Sequence, residues 1–158
     1  MAAAPALPID DVRVFVHPGK LAASATPCRI TTILGSCVAI SLHDPTTGVG
    51  GINHFLLPRA PHGEQSARFG DHALSQLLEA VERLGARRQQ LVAKVVGGAC
   101  VLDVFRDKAT HLGNQNASMA FEALHDLKLP VLMAETGGRK ARHVTFYPHT
   151  GDLVVRSL

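Results

Sequence analysis

The chain has 158 residues, 46% of them hydrophobic, with a formal charge of +3 at pH 7 and a pI near 9.0. That length suits one domain, because a chain of this size buries ~68–70% of its unfolded surface and needs no disulfide or metal to hold it. One Tyr and no Trp leave few flat rings for bases to stack on, which argues against nucleic-acid binding. The start, Met1 to Pro8, lacks the basic segment and long apolar core of a signal peptide, and no run approaches ~20 apolar residues. A soluble cytoplasmic protein without membrane insertion is therefore expected. Cys28, Cys37 and Cys100 leave one thiol over in any disulfide scheme and make no C-x-x-C pair, which also suits a reducing compartment.

Residues 1–10 are rich in Ala and Pro and read as a flexible leader, with a single domain over 11–158. Val12, Val14 and Val16 alternate as in a strand. Arg29 to Leu34 and Val38 to Leu42 read as two more strands, joined by a sharp turn at Gly35-Ser36 that lifts Cys37 into a cleft. Glycine at position 35 permits positive φ or a close backbone approach. The segment His43-Asp44-Pro45-Thr46-Thr47-Gly48 is turn chemistry, so the strand Val49 to Leu57 returns antiparallel and carries His54 back beside Cys37.

Asp71 is suited to cap a helix with Leu74, Leu77, Leu78, Val81 and Leu84 at helical spacing. Gly85 ends it, and Leu91 to Val96 reads as a strand buried on both faces and closed by Gly97-Gly98. Val101, Val104 and Phe105 fit either a short strand or a loop. Asn114 or Asn116 is suited to cap a second helix carrying Met119, Ala120, Phe121, Ala123, Leu124 and Leu127 toward a core. Strands Val131 to Ala134, His143 to Tyr147 and Leu153 to Val155 complete the chain. Many short strands with two amphipathic helices predict an α+β domain with helices stacked on sheet.

Cys37 lies before an apolar run, Val38-Ala39-Ile40, where a cysteine is ordinarily a small buried hydrophobe. Chemistry needs more. A free thiol titrates near ~8.5, so only a few per cent is thiolate at neutral pH unless an imidazole shares the proton. His54 is the nearest candidate once the hairpin forms. Backbone N–H groups of the Gly35-Ser36-Cys37 turn are candidates to hold an oxyanion, and Ser36 serves either there or in the turn itself. The run Arg139-Lys140-Ala141-Arg142-His143 reads first as a solvated loop and second as a patch that steers an acidic partner. His43, His54, His62, His72 and Asp44 lack the close spacing of common zinc sites, so neither a metal nor another cofactor is expected.

Four blocks occur in order: Leu34-Gly35-Ser36-Cys37-Val38 with Asp44; His54 with Leu57-Pro58; Ala93-Lys94-Val95-Val96-Gly97-Gly98-Ala99; and Gly113-Asn114-Gln115-Asn116. Together they resemble the CheD family, the chemoreceptor glutamine deamidases of bacterial and archaeal chemotaxis, over about Val12 to Arg156. The resemblance implies a triad of Cys37, His54 and Thr31, with Thr32 the adjacent candidate, and an α+β sandwich of stacked mixed β-sheets with two to three helices outside. It also implies conversion of glutamine to glutamate through a thioester. The implied partners are chemoreceptor cytoplasmic helices, with Arg139, Lys140 and Arg142 as candidate contacts, and the CheC phosphatase where an organism has one. Glu135-Thr136-Gly137-Gly138 and Ala141-Arg142 depart from the family pattern. A non-catalytic adaptor binding receptors or CheC is the rival reading, and a receptor methylesterase would use the same three side chains.

Overall fold

The computed structural model describes residues 12–102 and 111–158; the expected leader and the segment containing Val104 and Phe105 lie outside the described residues. Among the described residues, nine strands and two α-helices run in the order β1 (Arg13–Phe15), β2 (Leu21–Ser24), β3 (Arg29–Leu34), β4 (Val38–Asp44), β5 (Val49–Asn53), α1 (Gly70–Arg83), β6 (Val92–Gly97), α2 (Leu112–Asp126), β7 (Val131–Thr136), β8 (Arg142–Tyr147) and β9 (Asp152–Ser157). They form two mixed sheets, β1-β3-β8-β9 and β2-β5-β4-β6-β7. Among the described strands, β1–β3 and β6–β7 pair in parallel and the others antiparallel. This is the expected α+β sandwich, with both helices on the outer face of the five-stranded sheet.

Alternation along β4 divides the core in two. Val38, Ile40 and Leu42 point to the helices, meeting Leu74, Leu77, Val81, Ala120 and Leu124. Ala39 points the other way, into a layer between the sheets shared with Ile30, Leu34, Ile52, Val96, Val144 and Phe146. Every residue of β4 and β5 is buried, as covered faces on both sides require.

The helix caps differ from expectation. Phe69 is the N-cap of α1 and offers no side-chain bond, while Asp71 sits in the first turn and accepts from the Ala60 N–H. There its charge complements the helix dipole instead. His111 caps α2, its Nδ1 accepting from the Asn114 N–H at 3.1 Å, so Asn114 and Asn116 lie inside the helix. β2 is an edge strand of Leu-Ala-Ala-Ser with no alternation for sequence to reveal.

Candidate active site

The turn Asp44–Gly48 sends β5 back along β4, and the pairing continues past it. Val38 and Phe55 exchange both backbone hydrogen bonds, at 3.2 and 3.0 Å. Both side chains enter the helix-side core. Their neighbours Cys37 and His54 must therefore emerge on the opposite face, toward the four-stranded sheet. In this register the two are diagonal neighbours, a relation that sets Cα atoms roughly 7–8 Å apart.

Across the gap between the sheets, the Thr32 hydroxyl lies 2.7 Å from His54 Nδ1 and 2.7 Å from the Val16 carbonyl oxygen. A hydroxyl has one proton. The carbonyl can only accept, so Thr32 donates to Val16 and accepts from His54, which fixes the imidazole proton on Nδ1. His54 Nε2 then carries the lone pair, and it is buried without a hydrogen-bond partner among the described residues.

The hydroxyl in contact with His54 is that of Thr32, the adjacent candidate, and not that of Thr31. Period-two alternation decides between them: Ile30, Thr32 and Leu34 face inward from β3. Thr31 faces outward, paired with Phe15 on β1 and Thr145 on β8.

Burial sets the electrostatics. It drives the His54 pKa down to about 4, with the Val16 carbonyl opposing and the charge of His17 assisting. Burial also pushes the Cys37 thiol up, against a smaller lowering by its own backbone N–H. Both shifts favour the neutral forms, a protonated thiol and an uncharged imidazole. Cys37 is half-buried and is a free thiol, as are the buried Cys28 and Cys100.

The loop carrying Cys37 is held by its carbonyls. Gly35 O accepts from the Ala99 N–H and Cys37 O from the Gly98 N–H, both at 2.9 Å. Ser36 O accepts from Asn116 Nδ2 at 3.0 Å. Gly97 makes this possible, because at its φ of +113° any Cβ would run into the Cys37 carbonyl. Gly35 itself needs no special conformation: its φ is not positive, and a Cβ there would meet nothing within 4 Å. The Ser36 hydroxyl takes part in no hydrogen bond among the described residues, and Ser36 borders an apolar cleft of about 420 Å³ between Ala99–Leu102 and the start of α2.

The basic run divides. Arg139 and Lys140 are exposed. Arg142 is not available for docking, since β8 turns it inward with Val144 and Phe146. Its guanidinium donates to Gly97 O, Gly137 O and the Glu135 carboxylate. It braces the glycine turn behind Cys37.

Among the described residues no group of three His, Cys, Asp or Glu side chains is placed to hold a metal, and no helix is long and apolar enough to cross a membrane. His43 instead bonds the Pro148 carbonyl through Nδ1 at 2.8 Å.

The model of the family described as CheD chemotactic sensory transduction matches residues 56–157. A protein of Anaeromyxobacter dehalogenans (strain 2CP-C), called probable chemoreceptor glutamine deamidase CheD 1, is 50% identical over 146 residues, 92% of this chain and 85% of its own. The chain belongs to the CheD family. A second CheD, from Rhodospirillum rubrum, called probable chemoreceptor glutamine deamidase, is 42% identical over 91% of this chain and 81% of its own. The family match begins at Leu56, just after His54, so the candidate CheD site rests on the geometry above. The crystal structure of Bacillus licheniformis YfiH shares the CheD fold at a TM-score of 0.50 and 12% identity, over 75% of this chain and 51% of that one. The chain spans about half of YfiH, and the likeness concerns fold alone.

Proposed function

We propose that this protein deamidates glutamine side chains of chemoreceptors, with Cys37 as nucleophile, His54 as base and Thr32 as the group that orients His54. One observation carries the reading. The Thr32 hydroxyl, committed to Val16, holds the His54 proton on Nδ1 and leaves Nε2 as a base, unpartnered among the described residues, on the face that bears Cys37. The names of the relatives, probable chemoreceptor glutamine deamidases, supply the substrate.

Since both shifts favour the neutral forms, the proton moves as the bond forms. Sulfur attacks the carboxamide carbon while Nε2 takes the thiol proton. The tetrahedral oxyanion faces the N–H groups of the Ser36–Cys37 turn, whose carbonyls are engaged on the scaffold side. Imidazolium then returns the proton to the departing nitrogen, ammonia leaves, and an acyl thioester remains. Water, deprotonated by Nε2, attacks that thioester and releases glutamate and the thiol. His54 is a weak base on its own, so bound substrate must bring sulfur and Nε2 within reach, as sites often tighten only when filled.

Chemoreceptor cytoplasmic helices are the proposed substrates, so the proposed compartment is the cytoplasm, with CheC a second partner where an organism has one. Exposed Arg139 and Lys140 are suited to steer glutamate-rich helices toward the site. The test is the intact mass of a receptor cytoplasmic fragment after incubation with the protein. Each deamidation adds about one dalton through the exchange of amide for acid. No gain with folded wild-type protein, or an undiminished gain with Cys37→Ala, overturns the proposal.

A further inference from the structure

Asn116 is fully buried in the second turn of α2, on the helix face it shares with Gly113, Ala117 and Ala120. Its Nδ2 donates to Ser36 O at 3.0 Å and to Leu56 O at 2.9 Å. The first carbonyl directly precedes Cys37 and the second lies just beyond His54. One amide nitrogen thus joins the loop that carries the sulfur to the strand that carries the imidazole. The amide orientation is fixed, because a flip would set its oxygen against two carbonyl oxygens. Oδ1 is left buried without a partner among the described residues. A buried unsatisfied acceptor is costly, and a packing role alone would be filled more simply by Leu or Met.

The helix cannot drift from this contact. Gly113 packs so closely on Gly98 that a Cβ would collide with the Gly98 carbonyl, and Gly98 in turn donates to Cys37 O. The start of α2, the glycine turn after β6 and the Cys37 loop therefore form one rigid block. Asn116 is the side chain that extends this block to the His54 strand.

We propose that Asn116 is a positioning residue that sets the separation of Cys37 sulfur and His54 Nε2. It acts through both backbone segments and touches neither reacting atom. The inference rests on the proposed Cys37–His54 pairing, and the experiment separates the two. The rate of Cys37 alkylation by iodoacetamide is measured in full-length wild type, His54→Ala, Asn116→Ala and the double variant. General-base help is worth ~10²–10⁴ in catalysis, so at least a ~10-fold slowing is expected in His54→Ala. Asn116→Ala is expected to slow alkylation as much, and to add nothing once His54 is gone.

Equal rates in wild type and His54→Ala overturn the pairing itself. A clear His54 effect that Asn116→Ala leaves intact overturns only the role of Asn116. So does an Asn116 effect of the same size in both backgrounds, which is what a general loosening of the fold would give. Should Asn116→Ala not fold, Asn116→Ser keeps one donor for one of the two carbonyls and takes its place in the same cycle, with partial slowing expected only when His54 is present.

Discussion

Thr32→Val tests the histidine relay at nearly constant volume. Valine puts a methyl where Oγ1 stands, so the 1%-exposed site stays filled while Val16 O and His54 Nδ1–H both lose their partner. Each of the two buried groups left unpaired costs ~1–3 kcal/mol, so a destabilisation of about 2–6 kcal/mol is expected. In a domain of this size that lowers Tm by roughly 4–24 °C. The same change frees the imidazole to place its proton on either nitrogen, which should slow deamidation of a receptor fragment ~10–100-fold, within the usual worth of a general base. Thr32→Ser restores the hydroxyl and should recover most of both losses. Thr31→Val, on the outer face of β3, should stay within ~0.5 kcal/mol of wild type and keep its activity. Urea denaturation paired with the mass assay reads both. If Thr31→Val produces the losses and Thr32→Val does not, the relay is wrong.

Unfolding should also report the burial of His54. The unfolded imidazole takes up a proton below its ordinary pKa of ~6.5, whereas the folded one resists to about 4. Stability is therefore full above pH 6.5 and falls as pH drops toward 4, by about 3 kcal/mol at ~1.36 kcal/mol per unit. His54→Ala should flatten that slope in urea midpoints from pH 7 to 4.5. Asp44, fully buried, is pushed up by burial but carried below the usual carboxylate range by bonds from Thr46 and the Arg87 N–H. Asp44→Ala should cost at least ~2–4 kcal/mol, since one bond to a charged group is worth ~1.5–3 kcal/mol and Asp44 accepts several; a midpoint within error of wild type would contradict it. Reversing Arg139 and Lys140 together to Glu should leave Tm unchanged and raise KM several-fold for a receptor fragment, most at low salt. Arg142→Ala should instead lower Tm, because its guanidinium bonds are internal.

Much of the site was legible because its determinants are local. Turn residues between two apolar runs predict the β4–β5 hairpin, and the register of that hairpin makes His54 a diagonal neighbour of Cys37. What stayed hidden depends on the facing of single residues. Thr31 and Thr32 are adjacent hydroxyls, and only the register of β3 in the second sheet tells which one turns inward. Arg142 looked exposed because it ends a basic run, but β8 begins there and its alternation pulls Arg142 inside. Asn116 looked like a helix cap because Asn favours that place, yet His111 holds it. A signal did exist: Gly113, Asn116, Ala117, Ala120 and Leu124 share helical spacing, and a polar residue on an otherwise small apolar face calls for a partner.

The most direct test of nucleophilic attack by Cys37 is rapid acid quenching of the protein mixed with a glutamine-bearing receptor peptide, followed by intact mass. A transient adduct equal to protein plus peptide less one ammonia, mapped to Cys37 and missing in Cys37→Ala, is the expected result. Glutamate formation by Cys37→Ala at the wild-type rate would contradict it.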